Sequence, residues 1–167
     1  MRCFIIAALT ADGYIAKNES HAAFLTSKED KKRFVELTKR AGVIVMGNNT
    51  WKTLGKPLRD RVNIVYSHQN VEGAETTQLS PQELLKELEE RNFKEVAVCG
   101  GSQIYTMFMK AGVIDTLYLT IEPVIFGQGI KLFNEELLCQ LTLRNMEKGE
   151  NGTLLLEYKV NFGGPQS

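Results

Sequence analysis

The double glycine of Gly100-Gly101-Ser102-Gln103 stands where the apolar run Val96-Ala97-Val98-Cys99 ends. Two adjacent glycines let the backbone turn sharply and leave no Cβ in the way of a ligand. The segment beyond, Ser102 to Lys110, is compatible with a helix. The first N–H groups of a helix have no partner within it, and with the positive end of the dipole they bind phosphate or pyrophosphate. The plain alternative is a strand-to-helix connection, which Gly-Gly alone does not exclude. Two further turns favour the ligand reading: Gly47-Asn48-Asn49-Thr50 after Val43-Ile44-Val45-Met46, and Ser67-His68 at the end of Val62 to Ser67. In an open parallel sheet, ligands bind beyond the carboxyl ends of the strands.

The elements that must position these turns are legible as an alternation. Phe4 to Leu9 is a continuous apolar run, as in a strand buried on both faces. Thr10 to Gly13 is a turn, Tyr14 to Ala16 resumes extended, and Lys17 to Ala23 is a polar loop. A helix starts near Thr26-Ser27, where Ser27 and Asp30 resemble a capping box with Asp in place of Glu or Gln. Phe34, Val35, Leu37 and Ala41 form its apolar face and Gly42 ends it. Val43 to Gly47 is a second strand, and Trp51 to Leu54 a short helix. Ser80-Pro81-Gln82-Glu83 starts another helix, with a cap, a proline at the first helical position and a completed box. Glu95 to Cys99 and Thr116 to Ile121 are further strands. Leu141 to Arg144 and Thr153 to Val160 form a hairpin around Glu150-Asn151-Gly152. The pattern predicts an α/β fold, a mostly parallel central sheet with an antiparallel C-terminal edge hairpin. Residues 1–160 form one domain in this reading, and 161–167 a loose tail.

Bulk properties remove several classes of function. Lys+Arg and Asp+Glu balance at 20 each, with no basic run, which argues against nucleic acid as the main partner. No apolar stretch is long enough to span a membrane, and Met1 to Ile6 opens as a strand rather than as a signal peptide. Cys3, Cys99 and Cys139 are odd in number and far apart, as reduced thiols of a cytoplasmic protein. His21 and His68 have no zinc-like spacing, and no metal is expected.

The motifs resemble the dihydrofolate reductase superfamily. Met46 to Leu58 is similar to its "MGRxTWESLGRPL", Gly100 to Tyr105 to its "GGxxIY", and Leu117 to Thr120 to its "LYLT". Other stretches look more like the reductase domain of the riboflavin-pathway deaminase-reductase. These are Leu9 to Ala16 ("SLDGxIA"), Phe24 to Ser27 ("WITS"), and Gly112 to Leu117 with Pro123 to Gly129. There is no His-x-Glu with Pro-Cys-x-x-Cys, so the likeness does not extend to the deaminase.

The resemblance implies a three-layer sandwich and a reductase moving hydride from NADPH to a pyrimidine or pterin-like ring. By position it implies that the Ala8 and Ile15 backbone holds the nicotinamide carboxamide. Gly47, Asn48, Asn49 and Thr50 match the pyrophosphate and 2′-phosphate segment. Ser67 and His68 match the adenosine end, and Gly100, Gly101, Ser102, Gln103 and Ile104 the second pyrophosphate contact. Dihydrofolate reductases carry Arg where this chain has Asn48, which leaves the choice between NADPH and NADH open, with His68 or Arg59 as the substitutes able to meet a 2′-phosphate. Their proton donor falls on Glu29 or Asp30, depending on whether Phe24 or Phe34 anchors the alignment. Acids in a first helical turn also serve simply by complementing the dipole. Thr120 matches a threonine that hydrogen-bonds near the substrate. Trp51 reads as core or hinge. Riboflavin-type reductases are dimers, and by analogy the apolar Val113 to Phe126 segment would face a second copy. The alternative function is a non-catalytic nucleotide-binding module that has kept the cofactor site and lost the acid.

Overall fold

The structure, a computed structural model, describes residues 1–19 and 26–163. His21, Phe24, Leu25 and most of the loop to Ala23 lie outside the described residues, as does the end of the tail from Gly164.

Strands β1 (Arg2–Thr10), β3 (Val43–Gly47), β4 (Val62–Tyr66), β5 (Glu75–Thr77), β6 (Glu95–Val98), β7 (Thr116–Glu122), β9 (Gln140–Lys148) and β10 (Leu154–Asn161) form one sheet. Its order is β5-β4-β3-β6-β1-β7-β10-β9. All pairings from β5 to β7 are parallel, and β10 joins β7 and β9 antiparallel. Strands β2 (Tyr14–Ala16) and β8 (Ile130–Lys131) pair separately. The helices are α1 (Lys28–Ala41), α2 (Asn48–Leu54), α3 (Pro81–Glu90) and α4 (Ser102–Lys110).

The alternation of side chains along β1 explains the layering. Cys3, Ile5, Ala7 and Leu9 pack into one core cluster with Leu84 and Leu88 of α3 and Phe108 of α4. Phe4 and Ile6 join the other cluster, against Phe34 and Leu37 of α1 and Trp51 of α2. A strand covered by helices on both faces reads as unbroken apolar sequence, as Phe4 to Leu9 does. The result is an α/β fold of three layers, helices on both faces of a mostly parallel sheet with an antiparallel edge pair.

Several details depart from the sequence reading. Strands β5 and β8 carry no signal in the sequence, because one is a polar triplet at the sheet edge and the other two residues long. Helix α2 begins at Asn48 rather than Trp51. The Val113 to Phe126 segment is mainly interior, since β7 lies between β1 and β10; only Val124 and Ile125 are large exposed apolar side chains there.

Candidate active site

The turns after β3 and β6 meet side by side. Gly47 N–H donates to Gly100 O at 2.8 Å, and Cys99 N–H to Val45 O at 2.8 Å. Gly47 and Gly101 are the N-caps of α2 and α4, and neither helix start is capped by a side chain. Gly100 has φ +122°, and the Gly100–Gly101 peptide is cis. A Cβ on Gly100 would stand 3.2 Å from the Tyr105 hydroxyl and 3.3 Å from Thr50 Oγ1. Tyr105 is held in turn by donating to Ile6 O at 2.8 Å. Ser102 Oγ is shut from solvent with no hydrogen-bond partner among the described residues.

These turns open on a cleft of about 1770 Å³ that crosses the carboxyl ends of the parallel strands. It is lined by Ala8 and Ile15, by Gly47 to Thr50, by Ser67 and His68, and by Gly100 to Ile104. Asn48 Nδ2 donates to Ser67 Oγ at 3.4 Å, linking the first turn to the end of β4. His68 Nδ1 lies 2.8 Å from Gln78 Oε1. Among the described residues no arginine lines the cleft, and Arg59 is outside it. Trp51 packs against the core cluster under α1.

The two candidate acids part company although they are neighbours. Ser27 caps α1 by accepting from Asp30 N–H at 3.2 Å. The return half of a capping box is not made by Asp30. Glu122 of β7 takes the Ser27 N–H instead, at 3.0 Å. The Asp30 carboxyl therefore turns inward, lines the cleft at 5% exposure, and accepts from Thr120 Oγ1 at 2.5 Å. Thr120 itself is fully buried behind it. Burial pushes the Asp30 carboxyl above the ordinary aspartate range; the Thr120 hydrogen bond and the Arg33 charge oppose this, and Glu122 adds to it. Glu29 is partly exposed and lies outside the cleft. Its Oε1 accepts the Glu150 N–H at the β9–β10 turn, at 3.0 Å, which holds it below the usual glutamate range.

The arrangement can hold an extended anionic ligand on main-chain amides at two helix starts and offer a carboxyl that burial shifts toward its neutral form. A family model described as dihydrofolate reductase matches residues 2–129. The chain belongs to the dihydrofolate reductase family. This family member is 24% identical over 139 residues to the uncharacterized protein YwjB of Bacillus subtilis, covering 77% of the chain and 80% of that protein. It is 30% identical over 138 residues to a bifunctional dihydrofolate reductase-thymidylate synthase of Acanthamoeba polyphaga mimivirus, covering 70% of the chain and 23% of that protein. Among solved structures, a pyrimidine reductase-like protein from Corynebacterium diphtheriae superposes with a TM-score of 0.81 at 19% identity, covering 97% of this chain and 92% of that one. A deaminase/5-amino-6-(5-phosphoribosylamino)uracil reductase from Thermotoga maritima gives 0.75 at 16% identity, covering 95% of this chain and 56% of that one. These two likenesses concern the fold.

Residues without a functional signal in the sequence also reach the cleft. Lys31 and Phe34 of α1 and Phe133, Glu135 and Glu136 from beyond β8 line it. Phe34 reads in sequence only as core; its spacing of four from Asp30 puts both on one face of α1, which is the available signal. Nothing in the composition of residues 133–136 marks them.

Proposed function

We propose that the protein is an NADPH-dependent reductase that delivers hydride to a pyrimidine or pterin-like ring. The observation that carries this reading is that Asp30 opens into the same cleft as the two uncapped helix starts. A hydride acceptor with a C=N or C=O bond needs a proton as well as a hydride, and a carboxyl whose burial makes it hold its proton more tightly than an ordinary aspartate is suited to supply one. NADPH, when bound, supplies the hydride.

The chain's own part is to bind, orient and protonate. The amides from Asn48 to Thr50 and from Gly100 to Ile104 hold the pyrophosphate, without Cβ atoms at Gly100 and Gly101 in the way, and Gly47, whose own N–H is given to Gly100 O, shapes the turn that presents them. The Ala8 and Ile15 backbone holds the nicotinamide carboxamide, and Ser67 and His68 meet the adenosine end. Phe34, one turn beyond Asp30, gives the ring an apolar wall, and Asp30 gives it a proton. Thr120 keeps the carboxyl in place. The substrate is of the riboflavin-pathway ribosylaminouracil type or dihydrofolate-like. The alternative of a binding module that has lost its acid is supported by no observation, since a cleft-facing carboxyl is present at Asp30.

The test is NADPH oxidation with dihydrofolate and, separately, with a ribosylaminopyrimidine, by the parent protein, Asp30→Asn and Glu29→Gln. Loss of general-acid catalysis lowers kcat by about 100-fold or more in Asp30→Asn. Glu29→Gln stays within about twofold, as expected of a surface side chain outside the cleft. Full activity in Asp30→Asn, or collapse in Glu29→Gln, overturns the assignment.

A further inference from the structure

Behind Asp30, on the side away from the cleft, stands a half-buried arginine that has no part in lining it. Arg33 is three residues along α1 from Asp30, so the two share a helix face. Its Nη2 donates to Thr120 Oγ1 at 3.0 Å, and its Nη1 to Leu156 O of β10 at 3.0 Å. The guanidinium thus spans β7 and β10 with both prongs of its fork engaged. Its Nε is shut from solvent without a partner among the described residues, and its charged end lies 5.8 Å from the Tyr118 ring centroid.

A threonine hydroxyl has one proton and two lone pairs. Arg33 has no acceptor to offer, so it occupies a lone pair of Thr120 Oγ1. The proton of that hydroxyl is then directed at Asp30 Oδ1, 2.5 Å away. Oδ1 is thereby committed as an acceptor. Oδ2 has no hydrogen-bond partner among the described residues. A proton carried by this carboxyl therefore resides on Oδ2, the oxygen left for a ligand in the cleft.

We propose that Arg33 is a positioning residue for Asp30, acting through the Thr120 hydroxyl to fix which carboxyl oxygen bears the transferable proton. The catalytic meaning of this inference rests on the reading of Asp30 as proton donor; the coupling of the three side chains does not.

The charge of Arg33 also bears on how readily Asp30 ionises. Hydrogen bonds of 3.0 and 2.5 Å in series place Nη2 within 5.5 Å of Oδ1. The other charged and titratable groups facing the pair are Lys31 of α1, Tyr105 of α4, Tyr118 and Glu122 of β7, Glu147 of β9 and Glu157 of β10. Lys31 favours the ionised carboxylate and Glu122 disfavours it, while Glu147, Glu157 and Tyr118 help to hold Arg33 charged against its burial. Removing Arg33 takes away the nearby cation and frees the Thr120 hydroxyl to turn from Asp30. Both effects favour the neutral acid.

The experiment is a carbon-13 NMR titration of the aspartate carboxyls in the full chain. The Asp30 signal is assigned by its loss in Asp30→Asn. In Arg33→Met the Asp30 midpoint moves up by about one pH unit or more, the range typical of losing an opposite charge at this distance. Arg33→Lys, which keeps the charge, recovers at least half of that displacement. In Thr120→Val the midpoint also rises, and adding Arg33→Met then moves it less than in the parent. With dihydrofolate and NADPH, the alkaline limb of kcat moves with the NMR midpoint. An unmoved midpoint in a folded Arg33→Met protein overturns the proposal. Should Arg33→Met fail to fold, an unmoved midpoint in Thr120→Val overturns it equally. Absence of turnover with an intact NMR coupling would fault the reductase reading and leave the coupling standing.

Discussion

Gly100→Ala tests whether the turn after β6 is as tightly built as its contacts imply. Gly100 sits at φ +122°, a region closed to side-chain-bearing residues except under strain of about 1–3 kcal/mol. The new methyl would also lie 3.2 Å from the Tyr105 hydroxyl and 3.3 Å from Thr50 Oγ1. Tyr105 cannot retreat freely, because its hydroxyl donates to Ile6 O inside the core. Breaking that bond adds about 1 kcal/mol, for a total of about 2–4 kcal/mol. Gly55→Ala is the control. Gly55 also has positive φ, at +68°, but a Cβ there meets nothing within 4 Å, so it bears the backbone strain alone, about 1 kcal/mol. Urea unfolding of both variants gives the comparison, and NADPH fluorescence titration shows whether Gly100→Ala also weakens the cofactor site while Gly55→Ala spares it. If the two variants lose the same stability, within about 0.5 kcal/mol, the close-contact argument at Gly100 is wrong.

Two pH effects follow from the raised Asp30 carboxyl. With Asp30 as the proton donor we propose, its protonated form is the competent one, and the rate of hydride transfer then falls about tenfold per pH unit above the Asp30 midpoint, measured in the kcat profile. Stability moves in the same direction: a carboxyl that holds its proton more tightly folded than unfolded favours the native state most fully below the ordinary aspartate range. That contribution is lost as pH rises through the folded value, which a urea series across this window reads as a falling midpoint. Ser80→Ala removes the side-chain half of the capping box at α3, in which Ser80 Oγ accepts from Glu83 N–H, and leaves Glu83 Oε2 accepting from the backbone N–H of residue 80; it costs about 1 kcal/mol in the same assay.

Much of the framework is readable because its signals are local. Ser80-Pro81-Gln82-Glu83 specifies a helix start through contacts within four residues, and α3 begins where it says. Phe4 to Leu9 carries its two-sided burial in its own composition. Strand β9 reads too short in sequence because Asn145, Glu147 and Lys148 look like loop; as an edge strand with all nine residues exposed, it has no need of an apolar pattern. The three turns along the cleft are legible because each combines a strand end with glycine or polar side chains. The choice between Glu29 and Asp30 is not, because it depends on contacts from another element. Glu122, 95 residues away along the chain, takes the Ser27 N–H, and Thr120 receives the Asp30 carboxyl. Local sequence records neither. Arg33 escapes for the same reason: its spacing from Asp30 is visible, but the partners that give it a role lie on β7 and β10.

The central claim is that the Gly47 and Gly100-Gly101 turns together hold a nicotinamide dinucleotide beside Asp30. Calorimetric titration of the purified protein with NADPH, and in parallel with NADH, tests it most directly. The account predicts saturable binding of NADPH at one site per chain, weakened by Gly100→Ala and unaffected by Glu29→Gln. Heats that never saturate with either dinucleotide would contradict it.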